Sequence, residues 1–323
     1  MCTAIYENQN RPLFGRTLDL EYSYGESVAV TPHRFPLEFI YEPRNAAHLA
    51  IVGTAHVSGG YPLYYDAVNE SGLAAAGLNF PDNAVYHPRR DGFYNIASFE
   101  LIPWLLSRCE NLSEAVRLLC HTNITADAFS PSLPPTPLHW LIADRGGAVT
   151  LEATSRGIQI YDNPVGVLTN NPPFEYHLTN LANYMGADSL PPQNTLYPSL
   201  KITPYSRGMG GLGLPGDFSS TSRFVRAVFA KSHTAHAQND TDNIGRFFHI
   251  MDTVTQPQGC ALTEDGAPIY TVYTSCADLL CGNYYFTTYG CRQIRAISLG
   301  SLALDGDSLI CYPMERGENI DYL

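Results

Sequence analysis

The sequence is short of positive charge: 19 Lys and Arg stand against 31 Asp and Glu, a formal net charge of −12 over 323 residues. So acidic a chain is repelled by phosphate backbones and anionic bilayers, which excludes nucleic acid and membrane as expected partners. It also lacks any run approaching the roughly 18 consecutive apolar residues that a membrane-spanning helix needs. No Cys-x-x-Cys occurs among the eight cysteines at 2, 109, 120, 260, 276, 281, 291 and 311. The closest pair, Cys276 and Cys281, has no neighbouring His, so no metal site is expected. The opening Met-Cys-Thr-Ala-Ile-Tyr-Glu-Asn carries neither a basic n-region nor an apolar h-region. A cytoplasmic location is the resulting expectation, with reduced thiols that are mostly small buried apolar residues. Internal repeats, low-complexity tracts and charge runs are likewise missing.

What is present is an ordinary globular composition, 45% hydrophobic and 15% charged, with 21 Tyr and 14 Phe that favour strands. Alternating apolar runs predict strands at Cys2–Tyr6, Leu13–Leu20, Ser27–Thr31, Leu37–Tyr41, Ala50–Val57, Leu63–Ala67 and Leu73–Phe80. Helices are predicted at about Ser98–Cys109, with Pro103 tolerated only in the first turn. A capping box, Asn111-Leu-Ser-Glu114, opens another that runs to about Cys120. Further strands are read at Leu138–Ile142, Val149–Ala153, Ile158–Tyr161 and Val165–Thr169. Helices follow at Phe174–Tyr184, Thr221–Ser232 and Asp242–Val254, then strands at Tyr270–Ser275, Tyr284–Tyr289 and Gln293–Ser298. Strands joined by tight turns make antiparallel sheets, and paired helices between them should cover the outer faces. The expectation is an α+β chain, one domain over 1–323, built as a four-layer αββα sandwich of two antiparallel sheets. The Pro- and Gly-rich stretch Asp188–Gly216 reads as a long functional or oligomer-forming loop.

Cysteine at position 2 carries the chemistry. Removal of Met1, which a small second residue favours, leaves a thiol and an α-amine on one residue. The amine has a reference pKa of about 7.7–8.0, so it can take the thiol's proton near neutral pH. One residue then supplies nucleophile and base. Alone, a second-position cysteine says little. The turn Asn8-Gln9-Asn10-Arg11-Pro12, however, should fold Leu13–Leu20 back on Cys2–Tyr6, with a position near 18 opposite residue 2. Arg16 and Asp19 then fall beside the N-terminus, Arg16 to stabilise a thiolate and Asp19 to accept hydrogen bonds from the amine.

These residues carry a family resemblance. Met-Cys-Thr, Phe14-Gly-Arg-Thr-Leu-Asp19 and Tyr24-Gly-Glu26 resemble the choloylglycine hydrolase family, which includes bile salt hydrolases and penicillin V acylases. Gly77-Leu-Asn-Phe-Pro81, Leu138-His-Trp-Leu-Ile-Ala-Asp144 and Val167-Leu-Thr-Asn-Asn-Pro-Pro-Phe174 continue it, as do Gly208–Asp217, Ser222-Arg-Phe-Val-Arg226 and Thr271-Val-Tyr273. The resemblance implies the N-terminal-nucleophile hydrolase fold, a homotetramer and no cofactor. It implies Cys2 as nucleophile, with Arg16, Asp19, Asn79, Asn170 and Arg223 as its catalytic companions. Two of these motifs offer a neighbour of the same type, Asn171 and Arg226. Asn79 favours the bile salt hydrolase branch over the penicillin acylases, which often carry Tyr there. The implied substrate is an amphipathic glycine- or taurine-conjugated bile salt, cleaved through a Cys2 acyl-thioester with Asn79 and a backbone N–H at the oxyanion. Penicillin V, or transfer of the acyl group to an amine, are the alternatives. A steroid needs a broad apolar pocket, for which Leu18, Phe80 and Leu133 are candidates.

Two features invite other readings. Gly208-Met-Gly-Gly-Leu-Gly213 satisfies G-x-G-x-x-G but has no strand before it, and Pro215 and Gly216 delay any helix, so close backbone packing near Arg223 explains it better than a dinucleotide. His139 sits among Leu138, Trp140 and Leu141 and reads as a core histidine, since Cys2 already has its base.

Overall fold

The first reversal of the chain sets the register of everything near residue 2. In the computed structural model, which describes residues 1–323 apart from Asn45 and Arg316, the turn over 8–11 pairs Cys2 with Leu18 and Glu7 with Leu13. Among the described residues the chain runs through β1 (Cys2–Glu7), β2 (Leu13–Leu20), β3 (Ser27–Thr31), β4 (Ile51–Ser58), β5 (Tyr61–Asn69), β6 (Ala74–Asn79) and β7 (Tyr94–Ala97). Helices α1 (Leu101–Leu106) and α2 (Leu112–Leu119) precede β8 (Thr122–Thr125), β9 (Leu138–Asp144), β10 (Gly147–Thr154), β11 (Gly157–Asp162) and β12 (Val167–Leu168). Then come α3 (Phe174–Asn180), α4 (Ser220–His233) and α5 (Asp240–Asp252). Five strands close the chain: β13 (Ala261–Leu262), β14 (Pro268–Asp278), β15 (Asn283–Thr288), β16 (Cys291–Ser298) and β17 (Ile310–Pro313).

Two antiparallel sheets result. One runs β12-β1-β2-β14-β15-β16, with β13 beside β14; the other runs β11-β10-β9-β6-β5-β4-β3-β17. The sheets meet where β1 and β2 face β5 and β6. On the outside, α4 and α5 pack on β1, β2, β12 and β14, while α1 and α2 pack on β5, β6 and β9. The layers are therefore αββα. One apolar core fills the space between the sheets and under α4 and α5, around Phe14, Phe224, Phe247 and Tyr284. A second lies between the other sheet and the first two helices, around Trp104, Leu105 and Trp140.

Local chemistry explains the ends of these elements. The Asn111 side chain accepts from the Glu114 N–H at 3.0 Å, as the capping-box pattern requires, and Glu114 reaches back to the Glu110 N–H at 2.9 Å. Pro103 is the third residue of α1, where no intrahelical N–H is lost. The expected strand at Leu37–Tyr41 does not form. The Ile40 N–H is taken at 2.7 Å by the Glu100 carboxylate, and Leu37 is buried against the α1 core, so the segment packs as a loop. Four short strands are additional to the expected ones: the parallel pair β7–β8, β13 and the edge strand β17. The segment 188–216 is a long loop as expected, holding only a 3₁₀ turn at Met209–Gly211 and exposing Leu196, Tyr205 and Leu212. Its Gly210 packs on the carbonyls of Asp188 and Leu190 rather than near Arg223.

Gly15 marks a tight point of the nucleophile sheet. A Cβ there would stand 2.0 Å from the Ser275 carbonyl oxygen and 2.9 Å from the Phe247 ring. Gly15→Ala is expected to destabilise the fold by about 2–3 kcal/mol, because the Ser275 backbone on one side cannot yield and the Phe247 ring on the other is packed in the core. Urea unfolding measures this; a loss below about 0.5 kcal/mol would contradict the packing described.

Candidate active site

Three strands converge on residue 2. Cys2 in β1 pairs with Leu18 in β2, and Leu18 pairs with Tyr273 in β14. On the other side Ala4 pairs with Leu168, and continuing that register by two residues brings Asn170 opposite Cys2. The Asn170 Oδ1 accepts the Cys2 N–H at 2.9 Å and Arg223 Nη2 at 2.7 Å, while Asn170 Nδ2 donates to the Asn79 carbonyl at 2.7 Å. Met1 extends the hairpin: its amine donates to the Asp19 carbonyl at 2.6 Å, and the Asp19 N–H returns to the Met1 carbonyl at 2.9 Å.

Two arginines enclose the residue from opposite faces of its sheet. Arg16, fully buried between the sheets, donates to the carbonyls of Gly77 at 2.6 Å, Tyr65 at 3.0 Å and Thr17 at 3.1 Å. Among the described residues its Nη2 has no hydrogen-bond partner. Burial works against its charge, but the combined field of Cys2, Tyr273, Asp66 and Asp19 prevails and holds its pKa above the ordinary value. Arg223, from the first turn of α4, lies on the helix side. It donates to the Cys2 carbonyl, to Thr3 Oγ1 at 2.7 Å and to the Phe218 carbonyl at 3.1 Å. Burial lowers its pKa, and Asp19 and Cys2 oppose that shift. Asp19 is fully buried too, 4.0 Å from Arg223, and its carboxylate accepts from Thr271 Oγ1 at 2.7 Å, Gln256 Nε2 at 2.9 Å and Thr17 Oγ1 at 3.2 Å.

The structure thus brings Cys2, Arg16, Asp19, Asn170 and Arg223 into one cluster, with Asn79 joined to it through its carbonyl. Asn79 ends β6 with an exposed side chain beside Asn170. The same-type neighbours fall elsewhere: Asn171 donates to the Pro81 carbonyl, and Arg226 to Pro215, Asp217 and Thr253. The apolar candidates separate. Leu18 shares the face of Cys2 but is almost wholly buried. Phe80 is fully buried with its ring stacked on His139 at 4.2 Å, which makes it core rather than pocket wall. Leu133 is half-buried in the loop before β9, bridged to Ser130. Sequence reasoning gave no role to Thr271 within Thr271-Val-Tyr273, although its alternation places it on the face of Asp19. Nothing in the sequence signals Gln256.

One expectation is corrected. Cys2 is 3% exposed, whereas Cys120, Cys260, Cys281 and Cys311 are exposed, so the other thiols are not uniformly apolar and buried. Accessibility does not single out Cys2; its setting between two guanidinium groups does.

Comparison with known proteins follows the same lines. A family model described as linear amide C–N hydrolases, choloylglycine hydrolase family, matches residues 2–312. A bile salt hydrolase/transferase of Lactiplantibacillus plantarum is 46% identical, covering 97% of both chains. A bile salt hydrolase/transferase of Clostridium perfringens is 34% identical over 100% of both. Among solved structures, a conjugated bile acid hydrolase from Clostridium perfringens superposes with a TM-score of 0.92 at 33% identity, covering 100% of both chains. A penicillin V acylase from Agrobacterium tumefaciens, at 21% identity and a TM-score of 0.75 over 96% of this chain and 90% of that one, shares the fold.

A thiol alkylator should inactivate the protein in step with modification of Cys2, not of the exposed thiols. A variant with Ser at 120, 260, 281 and 311 is expected to lose activity at the wild-type rate within about twofold. Protection by those four substitutions, measured by residual activity and peptide mapping, would contradict the assignment.

Proposed function

The chain belongs to the choloylglycine hydrolase family of linear amide C–N hydrolases, and from that premise we propose that it hydrolyses the amide of glycine- or taurine-conjugated bile salts through Cys2. The observation that carries the reading is the placement of the Cys2 nitrogen on Asn170 Oδ1, with Arg16 and Arg223 on either side. Removal of Met1 turns that nitrogen into a free α-amine already held by an acceptor. The thiol proton passes to the amine as Sγ attacks the amide carbonyl carbon. The charge gathers on the carbonyl oxygen, where Asn79 Nδ2 and a backbone N–H are the donors we assign. The C–N bond breaks, the departing amino acid takes the proton from the α-ammonium, and an acyl-thioester remains. Water then attacks the thioester carbonyl, gives a proton to the amine, and the bile acid leaves as Sγ is released.

Asp19 and Arg223 would act through position: Asp19 ties β2 to Thr271 and Gln256, and Arg223 ties Thr3 and the Cys2 carbonyl to Asn170. A second reading has one specific support. The Lactiplantibacillus relative is a hydrolase/transferase, so an amino acid amine in place of water at the thioester is proposed as a side reaction. Assembly as a homotetramer and a cytoplasmic location belong to the same proposal. Among the described residues no helix is long and apolar enough to cross a membrane.

Cys2→Ala is expected to fold and to lose amidase activity by far more than tenfold, and Cys2→Ser to retain at most a trace, since a hydroxyl ionises much less readily than a thiol. Wild-type kcat/KM should be higher for a conjugated bile salt than for penicillin V, and Asn79→Ala should lower kcat about 10²–10³-fold. A Cys2→Ala variant within about tenfold of wild type refutes the nucleophile. Preference for penicillin V refutes the substrate class alone.

A further inference from the structure

The mechanism above leaves a buried acid and a buried histidine unused. His139 and Glu152 lie opposite each other on β9 and β10, both essentially inaccessible. Glu152 Oε1 accepts the Phe174 N–H at 2.9 Å and stands 3.3 Å from His139 Nδ1. His139 Nε2 stands 2.9 Å from the Thr169 carbonyl. The carboxylate and the carbonyl oxygen thus bracket the ring at its two nitrogens, and the Phe80 ring stacks on its face. Burying two such polar side chains is costly unless they are hydrogen-bonded, so an apolar pair of equal volume would serve mere packing at least as well.

What the pair holds is the ends of one short segment. Thr169 and Phe174 flank Asn170, and every polar atom of Asn170 is engaged. Its N–H donates to Ser220 Oγ at 2.8 Å, and its carbonyl accepts from His177 Nε2 at 3.0 Å. Its Oδ1 takes the Cys2 N–H and Arg223, and its Nδ2 reaches the Asn79 carbonyl. Burial pushes the His177 pKa down to about 4, so that ring is a neutral donor.

We propose that Glu152 and His139 are positioning residues that fix the 169–174 segment, and through it set where the Asn170 amide holds the Cys2 nitrogen. The inference rests on the reading of Cys2 as an N-terminal nucleophile. Its consequence is electrostatic as well as steric. Oδ1 accepting from the α-ammonium favours the charged form and raises the amine's pKa. If the segment loosens, that acceptor withdraws, the amine becomes more acidic, and the acid limb of kcat/KM moves to lower pH. The other ionisable groups nearby are Arg16 and Asp19 from β2, Arg223 from α4, Tyr65 and Asp66 from β5 and Tyr273 from β14; Arg223 shares the Asn170 Oδ1 but keeps its bonds to Cys2, Thr3 and Phe218. Around His139 the charged and titratable groups are Glu152, His177 and, beyond it, Arg223.

The test is Glu152→Gln, which keeps an acceptor for Phe174 but removes the carboxylate, with His139→Gln as a second variant. Activity is normalised to Cys2 thiols titrated by an alkylator, and circular dichroism of each variant establishes that it is folded. Expected are a fall in kcat per Cys2 of about tenfold, a change in KM below about twofold, and an acid limb about half a pH unit lower. Wild-type kcat per Cys2 with an unmoved limb in both variants overturns the inference. Cys2→Ala assayed alongside separates the two failures: if it is inactive while Glu152→Gln behaves as wild type, only the positioning role falls.

Discussion

Two guanidinium groups lie fully buried against the strand that begins at Cys2, and the rest of the site follows from satisfying them. A buried cation is costly unless most of its donors find acceptors and its charge a partner. Arg16 answers this with three carbonyls, from β2, β5 and β6, which draws the two sheets together directly beneath the nucleophile. Arg223 answers it with the Cys2 and Phe218 carbonyls, Thr3 and Asn170, which fastens α4 to the outer face of β1. The nucleophile is therefore held by the hydrogen-bond demands of its neighbours rather than by its own side chain.

Asp19 and Asp66 supply the opposite charge on the two faces. Asp19 sits with Arg223 on the helix side, tied to Gln256, Thr271 and Thr17. Asp66 lies between the sheets and accepts from Tyr273 at 2.5 Å, Tyr284 at 2.7 Å and Ser275 at 2.8 Å; burial raises its pKa, against the pull of Arg16. Alternation along β2 sorts the residues: Arg16 and Leu18 face the other sheet, Thr17 and Asp19 face the helices. One strand thus delivers an arginine beneath the thiol and a carboxylate beside the arginine above it.

That much was legible in the sequence, because the β1–β2 register follows from a short polar turn and a period-two pattern. Caps and long periodic helices were legible for the same reason, local chemistry deciding local structure. Where tertiary contacts decide, the sequence fell silent. Leu37–Tyr41 has the apolar pattern of a strand, yet Glu100, distant in sequence, takes its N–H and docks it as a loop. The edge strand β17 and the parallel pair β7–β8 depend on partners far along the chain. Asn170 and Asn171, or Arg223 and Arg226, are indistinguishable until the extended β12 register and the helix face show which reaches Cys2. Gln256 and Glu152 carry no motif, since a hydrogen bond bridging 237 positions leaves no local trace.

The account stands on the nitrogen and sulfur of Cys2 belonging to one free N-terminal residue that becomes acylated. The most direct measurement is intact and peptide mass spectrometry of active enzyme, acid-quenched during turnover of a conjugated bile salt. The account predicts an N-terminal peptide that begins at Cys2 and carries the mass of the bile acyl group less one hydrogen, labile to hydroxylamine. An active enzyme whose N-terminal peptide still begins at Met1, or an acyl group found on any other residue, would contradict it.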